Sequence, residues 1–166
     1  MKTISNEESL QMISEIDDHI NVKNHLTLNK DTYTHICIKY PPCEVINYLT
    51  YQLSIIDTFV PWTLALLTDW SVFEQFENTH LYYLLRKDNN NNEHISDSPG
   101  HIFLNHERNE LNSLLTIAIL NAYDLLVINN YDYTRYKLSH DGFVDIYSCD
   151  EELIKTLLEF KDKWKL

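Results

Sequence analysis

Glycine is nearly missing from this chain. Gly100 and Gly142 are the only two among 166 residues. Loops that cradle phosphate need glycines where the backbone closes on the ligand, and no P-loop, dinucleotide-binding fingerprint or nucleophile elbow is present. Cysteine is scarce too. Cys37, Cys43 and Cys149 are an odd number that fits no framework of paired bridges, which points to a reducing, cytoplasmic compartment. Basic residues are outnumbered, with 13 Lys and Arg against 25 Asp and Glu, for a net charge of −12. A nucleic-acid binder needs a basic face to displace counterions from phosphates, so no DNA or RNA partner is expected. The first twenty residues carry Glu7, Glu8, Glu15, Asp17 and Asp18 against Lys2. They offer neither the basic nor the apolar region of a signal peptide. The longest apolar region, 48–67, is interrupted by Gln52, Ser54, Asp57, Thr58 and Pro61. It reads as buried helices rather than a membrane span.

What is present suffices for a core. Hydrophobic residues make up 44% of the chain, enough for one domain over residues 1–166 to fold without metal or disulfide. Apolar spacing at Leu10, Ile13 and Ile20 predicts a helix over 7–20, with Ser5 as N-cap and Glu8 closing a capping box. Residues 33–40 alternate and predict a strand that Pro41 and Pro42 end. Ile46, Leu49, Leu53 and Ile56 make one helical stripe. Pro61 breaks it, and a second helix is expected from Trp62 through Leu66, Phe73 and Phe76. Leu81 to Leu85 reads as a buried strand. Residues 87–100, with Asn89 to Asn92 and Ser98-Pro99-Gly100, read as a flexible loop.

Beyond that loop, His101 to Leu104 suggests a strand and Asn105 a helix cap. Leu111, Leu114, Leu115, Ala118 and Ala122 should form the buried face of the helix that follows. Strands are expected at 125–128, 133–138 and 143–147, the last two joined by Asp141-Gly142 as a type I′ turn with φ > 0 at both residues. Asp150 should cap a final helix in which Leu153, Ile154, Leu157, Leu158 and Trp164 face inward. The expected fold class is α+β: a helical N-terminal half, then a C-terminal helix, a three-stranded antiparallel meander and a terminal helix.

No catalytic signature emerges from the reactive side chains. His101, His106 and Glu107 form the best histidine cluster, with His140 and Asp141 as distant candidates, yet they lack the local spacing of zinc ligands. No metal and no cofactor is therefore expected. Cys37 sits within a strand pattern, where a thiol packs as a small hydrophobe. Cys43 falls at a helix start, where the dipole lowers a thiol pKa, but no motif surrounds it. Ser139-His140-Asp141 holds the three residue types of a hydrolase triad, but triad members come from separated positions.

Charge and aromatics carry more. Between Lys39 and Arg86 the chain holds Glu44, Asp57, Asp69, Glu74 and Glu77 and no basic residue. That is either a solvated acidic surface or a field that steers a basic protein partner. Trp70 beside Asp69, and Tyr131, Asp132 and Tyr133 near a turn, pair aromatic rings with carboxylates as interface anchors do. The expected partner-binding set is Asp57, Asp69, Trp70, Glu74, Glu77, Tyr131, Asp132 and Tyr133.

In size, acidity, α+β patterning and absence of catalytic motifs, the chain resembles the immunity proteins of bacterial contact-dependent inhibition and polymorphic toxin systems. The resemblance is one of whole-chain character and assigns no individual residue. It implies an inhibitor that binds and neutralises a cognate, basic toxin domain by protein–protein contact. Two other readings stay open: a small hydrolase-like enzyme using His106, Glu107 and His140, and a non-catalytic scaffold or adaptor subunit, homodimeric through its aromatic surface.

Overall fold

A computed structural model gives the protein's structure and describes residues 1–16, 34–39, 43–55, 62–69, 76–129 and 134–166. The elements run β1 (Lys2–Ile4), α1 (Asn6–Ile16), β2 (Thr34–Lys39), α2 (Cys43–Ile55), β3 (Trp62–Asp69), α3 (Phe76–Asp88) and β4 (Gly100–Leu104). After a 3-10 turn (Asn105–Glu107) come α4 (Arg108–Leu120), β5 (Asp124–Asn129), β6 (Arg135–Ser139), β7 (Phe143–Ser148) and α5 (Glu151–Trp164). The strands form one seven-stranded sheet in the order β1-β4-β3-β5-β6-β7-β2, antiparallel at every pairing.

This corrects the expected fold class. The N-terminal half is not mainly helical, since β1, β2, β3 and β4 all lie before residue 105. Nor is the sheet a three-stranded meander: β5, β6 and β7 are flanked on one side by β3, β4 and β1 and on the other by β2. The error concentrates at β3. Leu64 and Leu66 pack into a cluster with Ile4 and Ile13, while Ala65 and Leu67 join the larger core on the opposite face. A strand covered on both faces loses its polar alternation and then resembles a helical segment. The converse happened at 81–85, where α3 buries Tyr82 and Arg86, four residues apart on one helical face.

Two apolar layers hold the sheet. On one side, α4 packs against α2 and α3 while α5 covers β2 and β7, enclosing Leu49, Leu114, Leu125, Leu138 and Val144. On the other, α1 lies across β3 and β4. Its start follows the expected capping box: the Ser5 N–H donates to Glu8 at 2.8 Å, and the Glu8 N–H donates to Ser5 Oγ at 3.1 Å. α1 comes so close that a Cβ on Gly100 would strike Ser9 Oγ and lie 2.7 Å from Ile4 Cγ1. Residues 89–99 are held at one end by backbone bonds to Arg86 and Lys87 and at the other by the Pro99 carbonyl, which accepts the Leu67 N–H at 3.1 Å, and they bury Ile95 and Ser98.

Several local expectations also change. Asn105 does not cap α4; it opens the 3-10 turn, and Glu107 accepts the Leu104 N–H at 2.9 Å. Ala122 lies past the end of α4 with φ +52, rather than on its buried face. Asp150 caps α5 as expected, accepting from the N–H groups of Glu152 and Leu153. Leu153, Leu157 and Phe160 point inward, but Leu158 and Trp164 are exposed. The 140–142 link is not type I′. Gly142 alone has positive φ there (+85), its N–H donates to Ser139 O, and Ser139 pairs with Phe143. That is a three-residue loop whose left-handed glycine forms a bulge.

Candidate functional site

The end of the sheet where β3 finishes and β5 begins gathers acids. A bulge between Leu67 and Asp69 shifts the register so that Asp69 stands opposite Asp124. Like charges directly opposite one another repel. The β6–β7 loop answers part of that repulsion. The His140 backbone N–H donates to Asp124 Oδ1 at 2.6 Å, and its ring Nδ1 lies 2.9 Å from the same oxygen. The hydrogen bond to Asp124 raises the His140 pKa, and the charges of Asp124, Asp141 and Asp69 add to this. Asp141 Oδ1 lies 3.6 Å from His140 Nε2, with its side chain 75% exposed. Two carboxylates thus contact one imidazole, and the charge of a third, Asp69, acts on it.

The same end carries apolar surface. Leu120, the last residue of α4, is 58% exposed, and Phe143, the first of β7, is 39% exposed. The C-terminus of α4 also brings the negative end of its dipole. The result is an acidic end with two exposed apolar side chains.

Of the expected partner-binding residues, Asp69 falls within this group, and Glu77 lies in the first turn of α3. Asp57, Trp70, Glu74, Tyr131, Asp132 and Tyr133 lie outside the described residues. Asn129 and Thr134, which flank 130–133, sit at the other end of β5 from Asp124. Sequence reading did not include Asp124, and it treated Asp141 only as a turn or reactive residue. Asp124 carried a faint signal, a lone acid at the head of the apolar run Leu125 to Ile128.

The reactive candidates do not converge. His106 and Glu107 lie on the 3-10 turn after β4, where Glu107 is engaged by the Met1 ammonium and the Leu104 N–H. His140 lies at the opposite end of the strands. Cys37 is partly buried, which pushes its thiol pKa up, and the neighbouring Asp145 pushes it further. Among the described residues, no group of three His, Cys, Asp or Glu is arranged to hold a metal ion. A recess of about 30 Å³ opens between Leu53, Trp62, Leu104, Asn105, Arg108 and Tyr136. It holds about one or two waters and falls far below the scale of a small-molecule site.

The buried polar group around Arg86 escaped sequence reading. Arg86 is fully buried, with Nη2 donating to Asn91 Oδ1 and Ser98 Oγ and its Cζ 5.7 Å from the centre of the Tyr82 ring. Among the described residues, its Nε and Nη1 have no hydrogen-bond partner. Beside it, the Tyr82 hydroxyl donates to His101 Nε2, which leaves His101 Nδ1–H to donate to the Ala65 carbonyl at 3.3 Å. Burial first, and the Arg86 charge second, bring the His101 pKa down to about 3.

Compared with known protein families, with characterised proteins and with solved structures, the chain matches none. Among the described residues, no helix is long and apolar enough to cross a membrane.

Proposed function

We propose that this protein is an inhibitor of the immunity type, which binds a basic toxin domain and neutralises it by direct contact. The acidic end of the sheet carries the reading. There Asp69, Asp124 and Asp141 meet beside exposed Leu120 and Phe143. Apolar anchors within a charged rim are the usual composition of a protein-binding surface. The carboxylates would take the place of nucleic-acid phosphates before a toxin's basic cleft and speed its capture. Inhibition then requires only occupancy, and no residue of this chain acts as a catalytic group.

The test is to express the protein encoded directly upstream in susceptible cells, with and without this chain. Growth arrest relieved by co-expression, with a complex recovered from the two purified proteins, is the expected result. A toxic neighbour that this chain neither binds nor silences would overturn the proposal, as would a neighbour with no toxicity.

A further inference from the structure

The His140 ring meets a carboxylate at each of its nitrogens. Nδ1 lies 2.9 Å from Asp124 Oδ1, and Nε2 lies 3.6 Å from Asp141 Oδ1. A neutral imidazole carries one N–H, so it serves one of these oxygens and sets a lone pair against the other. Only the imidazolium serves both. Among the described residues, the charges acting on the ring come from Asp124 on β5, Asp141 in the β6–β7 loop and Asp69 on β3, and all three are negative. Protonated, the ring is a cation that this end of the sheet supplies to itself.

The two contacts differ in how firmly they are held. The Asp124 side chain is 18% exposed, and its Oδ1 also accepts the His140 backbone N–H at 2.6 Å. The Asp141 side chain is 75% exposed. That difference decides which contact goes when the ring loses its proton. Nδ1–H stays on Asp124, and the backbone N–H keeps the loop anchored in either state. The Nε2 lone pair then repels Asp141, whose side chain turns to solvent. Titration thus changes the charge shown at this end without releasing the loop.

We propose that His140 is an autoinhibitory gate on the acidic end: its imidazolium occupies Asp124 and Asp141 as a built-in cation, and a lysine or arginine of the partner must take its place. The gate rests on the reading of that end as the docking face. The protonated ring and an incoming ammonium or guanidinium compete for the same carboxylate oxygens. By linkage the partner expels the proton, and the proton expels the partner. Acid therefore weakens docking. Rising pH strengthens it until the free protein has itself lost the proton, and the bond to Asp124 sets that point above the ordinary histidine value.

Hexalysine is a probe with the charge of a basic surface and none of its shape. Its binding is read from the backbone amide signals of Asp124 and Asp141 in isotope-labelled protein, at steps from about pH 6 to pH 8, across the histidine range. Affinity at these signals should rise about three- to fivefold over the steps, the scale of one exposed ion pair. The midpoint of the His140 ring titration should fall when hexalysine is saturating. Asp141→Asn should lower that midpoint with no peptide present. His140→Gln keeps the backbone N–H bond to Asp124 and has no ring to ionise, so it should bind hexalysine with one affinity throughout. The spread of amide signals checks that each variant folds. Equal pH slopes in His140→Gln and wild type overturn the proposal. So does a ring midpoint that hexalysine leaves in place, or no hexalysine binding at these amides. A working gate in a chain that gives no protection against the upstream protein refutes the immunity reading alone. Protection without a gate refutes this proposal alone.

Discussion

His101 and His140 respond to pH in opposite senses, because one is buried among neutral groups beside a cation and the other stands among carboxylates. The folded pKa of His101 is about 3 against an ordinary 6.5. Between those values the unfolded chain holds a proton that the native site refuses, so stability falls as pH drops through this window. The loss is on the order of 5 kcal/mol once the window is crossed. His101→Gln should flatten that part of a plot of urea-unfolding free energy against pH; equal slopes in variant and wild type would refute the assignment. The raised pKa of His140 acts the other way. Its contribution is complete below the ordinary histidine value and disappears as pH rises through the folded one. Arg86 sets the tone of the His101 site. A buried guanidinium disfavours a second positive charge nearby.

The two glycines show how an element constrains its residues. Gly142 has φ +85 and open space around its Cα, so a side chain there meets only backbone strain. Gly142→Val should lose about 1–2 kcal/mol, and Gly142→Asn much less, since asparagine tolerates that conformation. Gly100 is the reverse, with ordinary φ and no room. Gly100→Ala should lose at least about 2 kcal/mol, and Ser9→Ala, by removing the nearest obstacle, should recover part of it. Urea titrations measure both, and an unaffected Gly100→Ala would mean that α1 does not press on β4. Elements with local signals were legible in the sequence: the α1 capping box, the strand before Pro41, the Asp150 cap and the position of the 140–142 turn. The turn type was not, because it depends on Asp124, sixteen positions away, anchoring His140. β3 and α3 were misread because tertiary cover decides them. Both faces of β3 are apolar, and the inward face of α3 includes an arginine. Of the acidic end only Asp69 was legible, since sheet register, not sequence proximity, brings Asp124 and Asp141 to it.

At the scale of the molecule, a net charge of −12 sets how a basic partner arrives. Association with the proposed basic partner should slow steeply as salt rises. Asp141 is the cleanest probe, being mostly exposed and outside the core. Asp141→Lys should reduce the association rate several-fold at low salt and flatten its salt dependence, with dissociation little changed, by stopped-flow fluorescence. An unchanged rate at low salt would count against the acidic end as the docking face. The sheet order also has a consequence in time. His35 stacks on Tyr147 and hydrogen-bonds to Asp145, 110 positions later in the chain. A ribosome adds about 5–20 residues per second, so β2 waits roughly 5–20 s for its partner strand to be made. Through that interval Ile36 and Ile38, both buried in the finished fold, have no sheet to join. The early strand is therefore the segment that a nascent-chain chaperone has most reason to hold, and β7 is the one whose arrival releases it.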